Sequence, residues 1–287
     1  MKDIPKIQRL GPSWGVLQRL RFIDFRLSWD GRINRSDLME TFSVSVPQAS
    51  LDLREYMERA PGNMDYDKSQ KYYCATETFK AAFTNPTAES YFAQLTESEL
   101  DDPGIKSHNL NKFSPPFDVL PSPDRRVDAS VLRATVQTIH SKAAIEIKYQ
   151  SISTDLAGWR WVEPHALASD GMRWHVRAYC QHREEFRDFV LGRILEIRGS
   201  RAAVKLPSDD VGWREHVRVV IAANPKLAAG QRAIIERDYA MEHGKAEIVV
   251  RRSLLFYLKR RLGVEEGADR SPNAQQVIIV EIVPIVT

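Results

Sequence analysis

The stretch RWHVRAYC, residues 173–180, alternates strictly, with Trp174, Val176, Ala178 and Cys180 on one parity and Arg173, His175, Arg177 and Tyr179 on the other. A period of two belongs to a β-strand with two unlike faces. The apolar face needs only a core to pack on. The other carries three side chains able to hold positive charge beside a phenol, and that asks for anionic company. Working outward, AIEIKYQS (144–151), GWRWVEPHAL (158–167), FRDFVLGRILEI (186–197) and SRAAVKL (200–206) are also short and rich in β-branched and aromatic residues. Turn residues separate them, so with the preceding helix DASVLRATVQTIHSKA they predict a small β-barrel over residues 130–205. In such a barrel one parity fills the core and the other faces solvent, a ligand or a neighbour.

Upstream, residues 1–85 read as a winged helix-turn-helix. Val16, Leu17, Leu20, Ile23 and Leu27 mark an amphipathic helix that Gly31 ends, and RSDLMETF follows Asn34 as its N-cap. In SVSVPQASLDLREYMERAPG, Ser45 with Gln48 three residues on fits a capping box, Pro47 lies in the first turn, and Pro61-Gly62 stops the helix. Val46, Ala49, Leu53, Tyr56 and Met57 form its expected buried stripe. MDYDKSQKYYCAT then reads as two strands around a polar tip. A recognition helix of this kind turns its outer N-terminal face to base edges, which makes Ser45, Pro47, Gln48, Ser50 and Arg54 the candidate DNA readers. Arg35, Lys68, Lys71 and Tyr72 are placed to meet phosphates. The competing reading is a helical unit that binds another protein, because a net charge of +2 over residues 1–85 is a weak electrostatic footprint.

Residues 86–129 carry a net charge of −4 and begin helical before FSPPFDVLPSPDRR, whose prolines make a semi-rigid spacer. Residues 130–205 are the most basic part, at +4, and hold four of the seven histidines. Residues 206–287 alternate strand and helix as an α/β unit: WREHVRVVIAANP, KLAAGQRAIIERDYAMEHG after Asn224, AEIVV, RRSLLFYLKRRLG and QQVIIVEIV. The whole is an α+β multidomain chain. Its two cysteines, far apart in apolar contexts, read as reduced buried thiols of a cytoplasmic protein. No apolar run approaches the ~18–20 residues that span a bilayer, and the N-terminus lacks the apolar region of a secretory signal. With no His-x-x-x-His or Cys-x-x-Cys pair and no glycine-rich phosphate loop, neither a metal nor a cofactor is expected.

GWRWVEPHALASDGMRWHVRAYCQHREEFRDFVLGRI (158–194) resembles the WYL domain, an Sm-like small β-barrel of bacterial regulators, with Trp174-His175-Val176 standing where that family has Trp-Tyr-Leu. FSVSVPQASLDLREY, YDKSQKYY and RRSLLFYLKRRLG are similar to blocks of the dimeric winged-helix/WYL repressors encoded beside phage-defence systems such as BREX and CBASS. The resemblance spans nearly the whole chain in one domain order. It implies a repressor that binds a palindromic double-stranded DNA operator as a homodimer, with residues 206–287 and the connector holding the dimer. It also implies a WYL barrel that senses a nucleic-acid or nucleotide-like anion.

The residues support such a ligand site from their own chemistry. Guanidinium forks suit phosphate oxygens and aromatic rings offer stacking surfaces. Ser151, His165, His175, Arg177, Arg187 and Arg193 are the expected contacts, with Tyr149, Trp174 and Tyr179 in support. The histidine in place of tyrosine leaves the ligand's identity open, since its charge depends on pH. Against this stands a solvated face, or salt bridges to Glu163, Glu184, Glu185 and Asp188. No nucleophile, base and oxyanion hole assemble, so an enzyme is not expected. The alternatives kept are an RNA- or single-strand-processing enzyme with the barrel as its platform, and an interaction scaffold.

Overall fold

The computed structural model describes residues 13–99, 115–120, 123, 125–264 and 271–285. The chain divides into two compact units at residues 121/122. Of the expected proline-rich spacer, residues 113–114, 121–122 and 124 lie outside the described residues, and 115–120 are in neither helix nor strand.

In the first unit, α1 (Trp14–Asp30) ends at Gly31, whose φ of 69° is the left-handed cap position that favours glycine. After β1 (Arg32–Ile33), Asn34 and Asp37 exchange hydrogen bonds in a full capping box that opens α2 (Arg35–Phe42). Ser43, also left-handed, turns the chain into α3 (Val46–Arg59). Ser45 caps α3 through the Gln48 amide, but the expected reciprocal half of that box does not form, because the Gln48 amide group donates to Asp52 at 3.0 Å. β2 (Met64–Asp67) and β3 (Tyr72–Ala75) make the hairpin, and the sheet runs β1-β3-β2. At its tip Asp67 accepts the Ser69 and Gln70 amides, which fixes the turn that presents Lys68 and Lys71.

Leu20, Ile23, Leu27, Ile33, Leu38, Ala49, Leu53 and Tyr56 form the core of this unit. Val46 does not join it and is 47% exposed. At ~100° per residue its direction lies roughly 50° from the Ala49–Leu53–Tyr56 stripe. One buried carboxylate ties the unit together. Asp24 on α1 accepts the Tyr56 hydroxyl at 2.6 Å, the Ala82, Phe83 and Thr84 amides at 2.9–3.1 Å and the Thr84 hydroxyl at 2.7 Å. Burial, and then the bond to Asp24, hold the Tyr56 phenol well above its ordinary range. Asp24→Ala would leave those donors buried without an acceptor and should lower the urea stability of this unit by about 3 kcal/mol or more. An unchanged midpoint would refute that. The next helix, α4 (Ala88–Glu99), packs onto α1 by placing Tyr91 against Phe25 and Trp29.

The second unit opens with α5 (Ala129–Ser141), capped by Asp128, and continues with β4 (Ala143–Tyr149), β5 (Gly158–Ser169), β6 (Trp174–Cys180), β7 (Glu185–Val190) and β8 (Ile194–Ala202). They form one antiparallel sheet in the order β7-β6-β5-β4-β8. The two edges, β7 and β8, are not paired with each other, so the pairing does not show the closed barrel expected from the sequence. FRDFVLGRILEI is not one strand. A 3-10 turn at Leu191–Arg193 breaks it, and β8 takes in the beginning of SRAAVKL. Glycine is required at this turn: a Cβ on Gly192 would stand 2.6 Å from the Arg126 carbonyl oxygen, so a side chain has no room there.

The chain then forms α6 (Val211–Arg214), β9 (His216–Ala223), α7 (Ala229–Asp238), β10 (Lys245–Arg251), α8 (Leu255–Arg261) and β11 (Val277–Ile285), with the antiparallel sheet order β10-β9-β11. The helix expected directly after Asn224 starts later, because Asn224 spends its side chain on the Lys226 amide and the Gln275 carbonyl. Cys74 is half-buried and Cys180 buried, both as free thiols. Among the described residues no helix is long and apolar enough to cross a membrane.

Candidate DNA-binding face and ligand site

The helix-turn-helix positions its second helix from two sides. Arg19 on α1 grips Asp52 of α3 through two bonds of 2.7 and 3.1 Å, and the Leu53–Tyr56 stripe sits in the core. Outward face Ser45, Pro47 and Arg54, with Ser50 half-buried, its hydroxyl bonded to the Val46 carbonyl. Gln48 points along the helix to Asp52 rather than outward, so it reaches a base only by leaving that carboxylate. Arg35, Lys68 and Lys71 are exposed, whereas Tyr72 is half-buried beneath the Arg32 guanidinium. The sequence reading missed Leu51, which is 52% exposed on the same outer surface.

The second face of RWHVRAYC turns out to be interior. On β6, His175, Val176, Arg177, Ala178 and Cys180 are all buried, so both parities are covered. What covers the cationic parity is a set of carboxylates and a phenol from elsewhere in the unit. Arg177 holds Asp210, the N-cap of α6, through Nε at 2.7 Å and Nη2 at 3.0 Å, and reaches Asp188 on β7 through Nη1 at 3.2 Å. His165 Nε2 stands 2.9 Å from the same Asp210. A bulge places it there. The β5–β6 register shifts between Pro164 and Ala166, which leaves His165 as the extra residue and aims it at α6. The bulge also accommodates Pro164, which has no amide to offer an interior strand. Tyr257 on α8 donates to Asp188 at 3.1 Å, and its ring packs 4.9 Å from the His175 ring. Gly212 leaves the room this needs, since a Cβ there would lie 3.3 Å from Arg177 Nη2.

The remaining expected ligand residues do not join this cluster. Tyr149 is buried in the apolar core instead, where its hydroxyl accepts the Val190 amide and Arg160 lies over its ring. Ser151 bonds to Ser153, while Arg193 sits half-buried in the 3-10 turn, its carbonyl taking the Gln150 amide. Arg187 is exposed beside Glu185, Trp174 is 55% exposed, and Tyr179 packs edge-on to Phe186. The expectation of an open row of Arg177, His165 and His175 is therefore corrected. They are sealed against Asp210, Asp188, Asp170 and Tyr257. Of these the sequence reading considered only Asp188, as a competing salt bridge; the others lie at sequence distances that periodicity does not connect.

The electrostatics follow from burial and pairing. Burial lowers His165 and His175 below the usual imidazole range, only partly offset by Asp210 beside the first and Asp170, 3.8 Å away, beside the second. His175 Nδ1 is buried without a hydrogen-bond partner. Burial works against the Arg177 charge as well, but Asp210 and Asp188 outweigh it and raise its pKa further. A histidine that is harder to protonate when folded contributes stability at neutral pH that is lost as pH falls below about 6.5. The thermal midpoint of the second unit should therefore drop between about pH 6.5 and 5, and His175→Phe should flatten that drop. A wild-type midpoint constant across this range would refute the assignment.

A helix-turn-helix with a two-stranded wing, followed by a five-stranded sheet and an α/β unit, defines the class of winged-helix WYL regulators. Residues 15–97 match the BrxR transcriptional regulator winged helix-turn-helix domain, 130–198 the WYL domain, and 216–282 the BrxR transcriptional regulator C-terminal dimerization domain. The chain is 40% identical over 272 residues to the DNA-binding transcriptional repressor CapW of Pseudomonas aeruginosa, covering 94% of this chain and 91% of that one. It is 40% identical over 273 residues to CapW of Stenotrophomonas maltophilia, covering 93% and 90%. The chain belongs to the CapW family. A solved structure, proteasome accessory factor B/C (PafBC) of Arthrobacter aurescens, aligns with 97% of this chain and 48% of its own at 18% identity and a TM-score of 0.26, a likeness too low to argue from.

Proposed function

We propose that this protein is a cytoplasmic, dimeric, sequence-specific DNA-binding transcriptional repressor of a phage-defence operon, and not an enzyme. The observation that carries the reading is the outer face of α3. It is the second helix of a helix-turn-helix, capped and braced from behind by Arg19–Asp52, with a lysine-tipped wing in the same unit. Relatives 40% identical over most of the chain are named DNA-binding transcriptional repressors, and residues 216–282 match a dimerization domain. Arg54, Ser50 and Pro47 read bases, while Arg35, Lys68, Lys71 and the Ser45 end of α3 position the backbone. Footprinting on the DNA upstream of the regulated operon should reveal two half-sites related by a dyad. A single unsymmetrical contact would sink the dimeric-repressor reading.

The WYL sheet is the sensing part of this proposal, and a nucleic-acid or nucleotide-like anion its ligand. Ser151, Arg187 and Arg193 are accessible without rearrangement. Arg177 and His165 meet a ligand anion only if Asp210 gives way. That would link occupancy of the sheet to α6 and so to the dimerisation domain.

A further inference from the structure

The outer face of α3 carries apolar side chains where a polar code was expected. Val46 and Leu51 are 47% and 52% exposed, and Pro47 is exposed between them. At ~100° per residue, positions 46, 47, 50, 51 and 54 fall within one arc of about 140°. The polar groups of this helix are largely turned elsewhere: Gln48 is bonded to Asp52, and the Ser50 hydroxyl to the Val46 carbonyl. The polar group left free for base edges is one guanidinium, Arg54, flanked by a branched apolar side chain on either side, and Ser50 reads a base only by turning its hydroxyl from the Val46 carbonyl. In the major groove a guanidinium fork matches guanine O6 and N7. The only apolar feature any base presents there is the C5 methyl of thymine.

We propose that Leu51 and Val46 are specificity-determining residues that read thymine methyl groups in the operator half-site, on either side of a guanine taken by Arg54. The inference rests on the repressor reading and adds what the half-site must contain. An alternative occupant is a second copy of this chain, since an exposed leucine and valine also suit a protein interface. Over the first two turns of α3 Arg54 is the only charge on this arc, with Glu58 one turn further along it, so the N-terminal end of the arc suits an anionic partner.

The test uses the full-length protein and a duplex selected from random sequence by binding to it. Each thymine of the half-site is replaced in turn by deoxyuridine, which removes the methyl and leaves pairing and hydrogen-bonding groups intact. Wild type is expected to lose roughly threefold to tenfold in affinity at one or two of these positions, the scale of one methyl's burial. Leu51→Ala should bind the thymine duplex correspondingly more weakly and no longer distinguish it from the deoxyuridine form at one position. Leu51→Met should keep the distinction. Because Leu51 lies outside the core, an unaltered melting temperature in both variants shows that the fold is intact. Sequence-specific binding indifferent to every deoxyuridine substitution overturns the inference and leaves the repressor reading standing. So does a methyl effect that survives in both Leu51→Ala and Val46→Ala, or dissociation of the dimer by Leu51→Ala. Failure to select any sequence removes the repressor reading itself, and this inference with it.

Discussion

Asp210→Ala is expected to lower the stability of the second unit by about 3–5 kcal/mol, because it strands the buried Arg177 guanidinium without its bidentate partner. The size of the effect comes from the charge left behind rather than from the bond removed. Asp210 is 1% exposed, so water does not replace it readily. His165 and the N-terminus of α6 lose the same acceptor, since the carboxylate also takes the Trp213 amide at 3.1 Å. Asp210→Asn keeps the shape and one acceptor and should cost less. Arg177→Met combined with Asp210→Leu should recover much of the loss, because an apolar pair needs no counter-charge. Denaturant unfolding followed through Trp213 would measure all of these, and equal midpoints for wild type and Asp210→Ala would refute the account.

The pH dependence separates this pair from the histidines. Burial alone would push the Asp210 carboxylate up, but Arg177, then His165 and the Trp213 amide, hold it below the usual carboxylate range. A depressed carboxylate contributes stability above the unfolded value of about 3.9 and loses it as pH falls through the folded one. The gap between wild type and Asp210→Ala should therefore widen somewhat as pH falls below about 6.5, because His165 loses the carboxylate that eases its protonation, and narrow below about pH 4. The histidine effect acts earlier, from about pH 6.5 downward.

Arg54→Ala is expected to weaken binding to the preferred operator by about 1–3 kcal/mol, roughly fivefold to 150-fold, while leaving non-preferred duplexes almost unchanged. Its exposed guanidinium is the longest polar reach on the outer face of α3. Lys71→Ala should behave differently. It sits at the wing tip in a left-handed backbone position, φ 59°, held by the turn that Asp67 organises. Its loss should weaken all sequences alike and reduce the slope of log affinity against log salt by about one. Fluorescence anisotropy across a salt series, with preferred and scrambled duplexes, distinguishes the two. A uniform loss for Arg54→Ala would remove it from the base-reading set.

The local elements were legible because their signals are local. Asn34 before RSDLMETF, Ser45 before Pro47, and Gly31 after an amphipathic run each act within one turn of chain, and the structure caps helices there. Strand alternation was equally legible in residues 174–180. Where the reading went astray, side-chain direction or a competing partner decided the matter. Val46 fits the spacing of a buried stripe but points past the core, and Gln48 fits a capping box but finds Asp52 nearer. FRDFVLGRILEI has the composition of one strand, yet the chain turns at Leu191–Arg193, where Gly192 passes the Arg126 carbonyl too closely for a side chain.

RWHVRAYC shows where sequence ends and tertiary structure begins. Its alternation by itself determined a strand with one apolar and one cationic face, inside a chain ordered as winged helix, β-domain and α/β unit. Whether that second face meets water, a ligand or protein depended on Asp210, 33 residues beyond Arg177, and on Asp188 and Tyr257. A periodicity reports that a side chain points away from its neighbours. Only the folded chain supplies what it points toward, because the partners of a buried charge are chosen by proximity in space and not along the sequence.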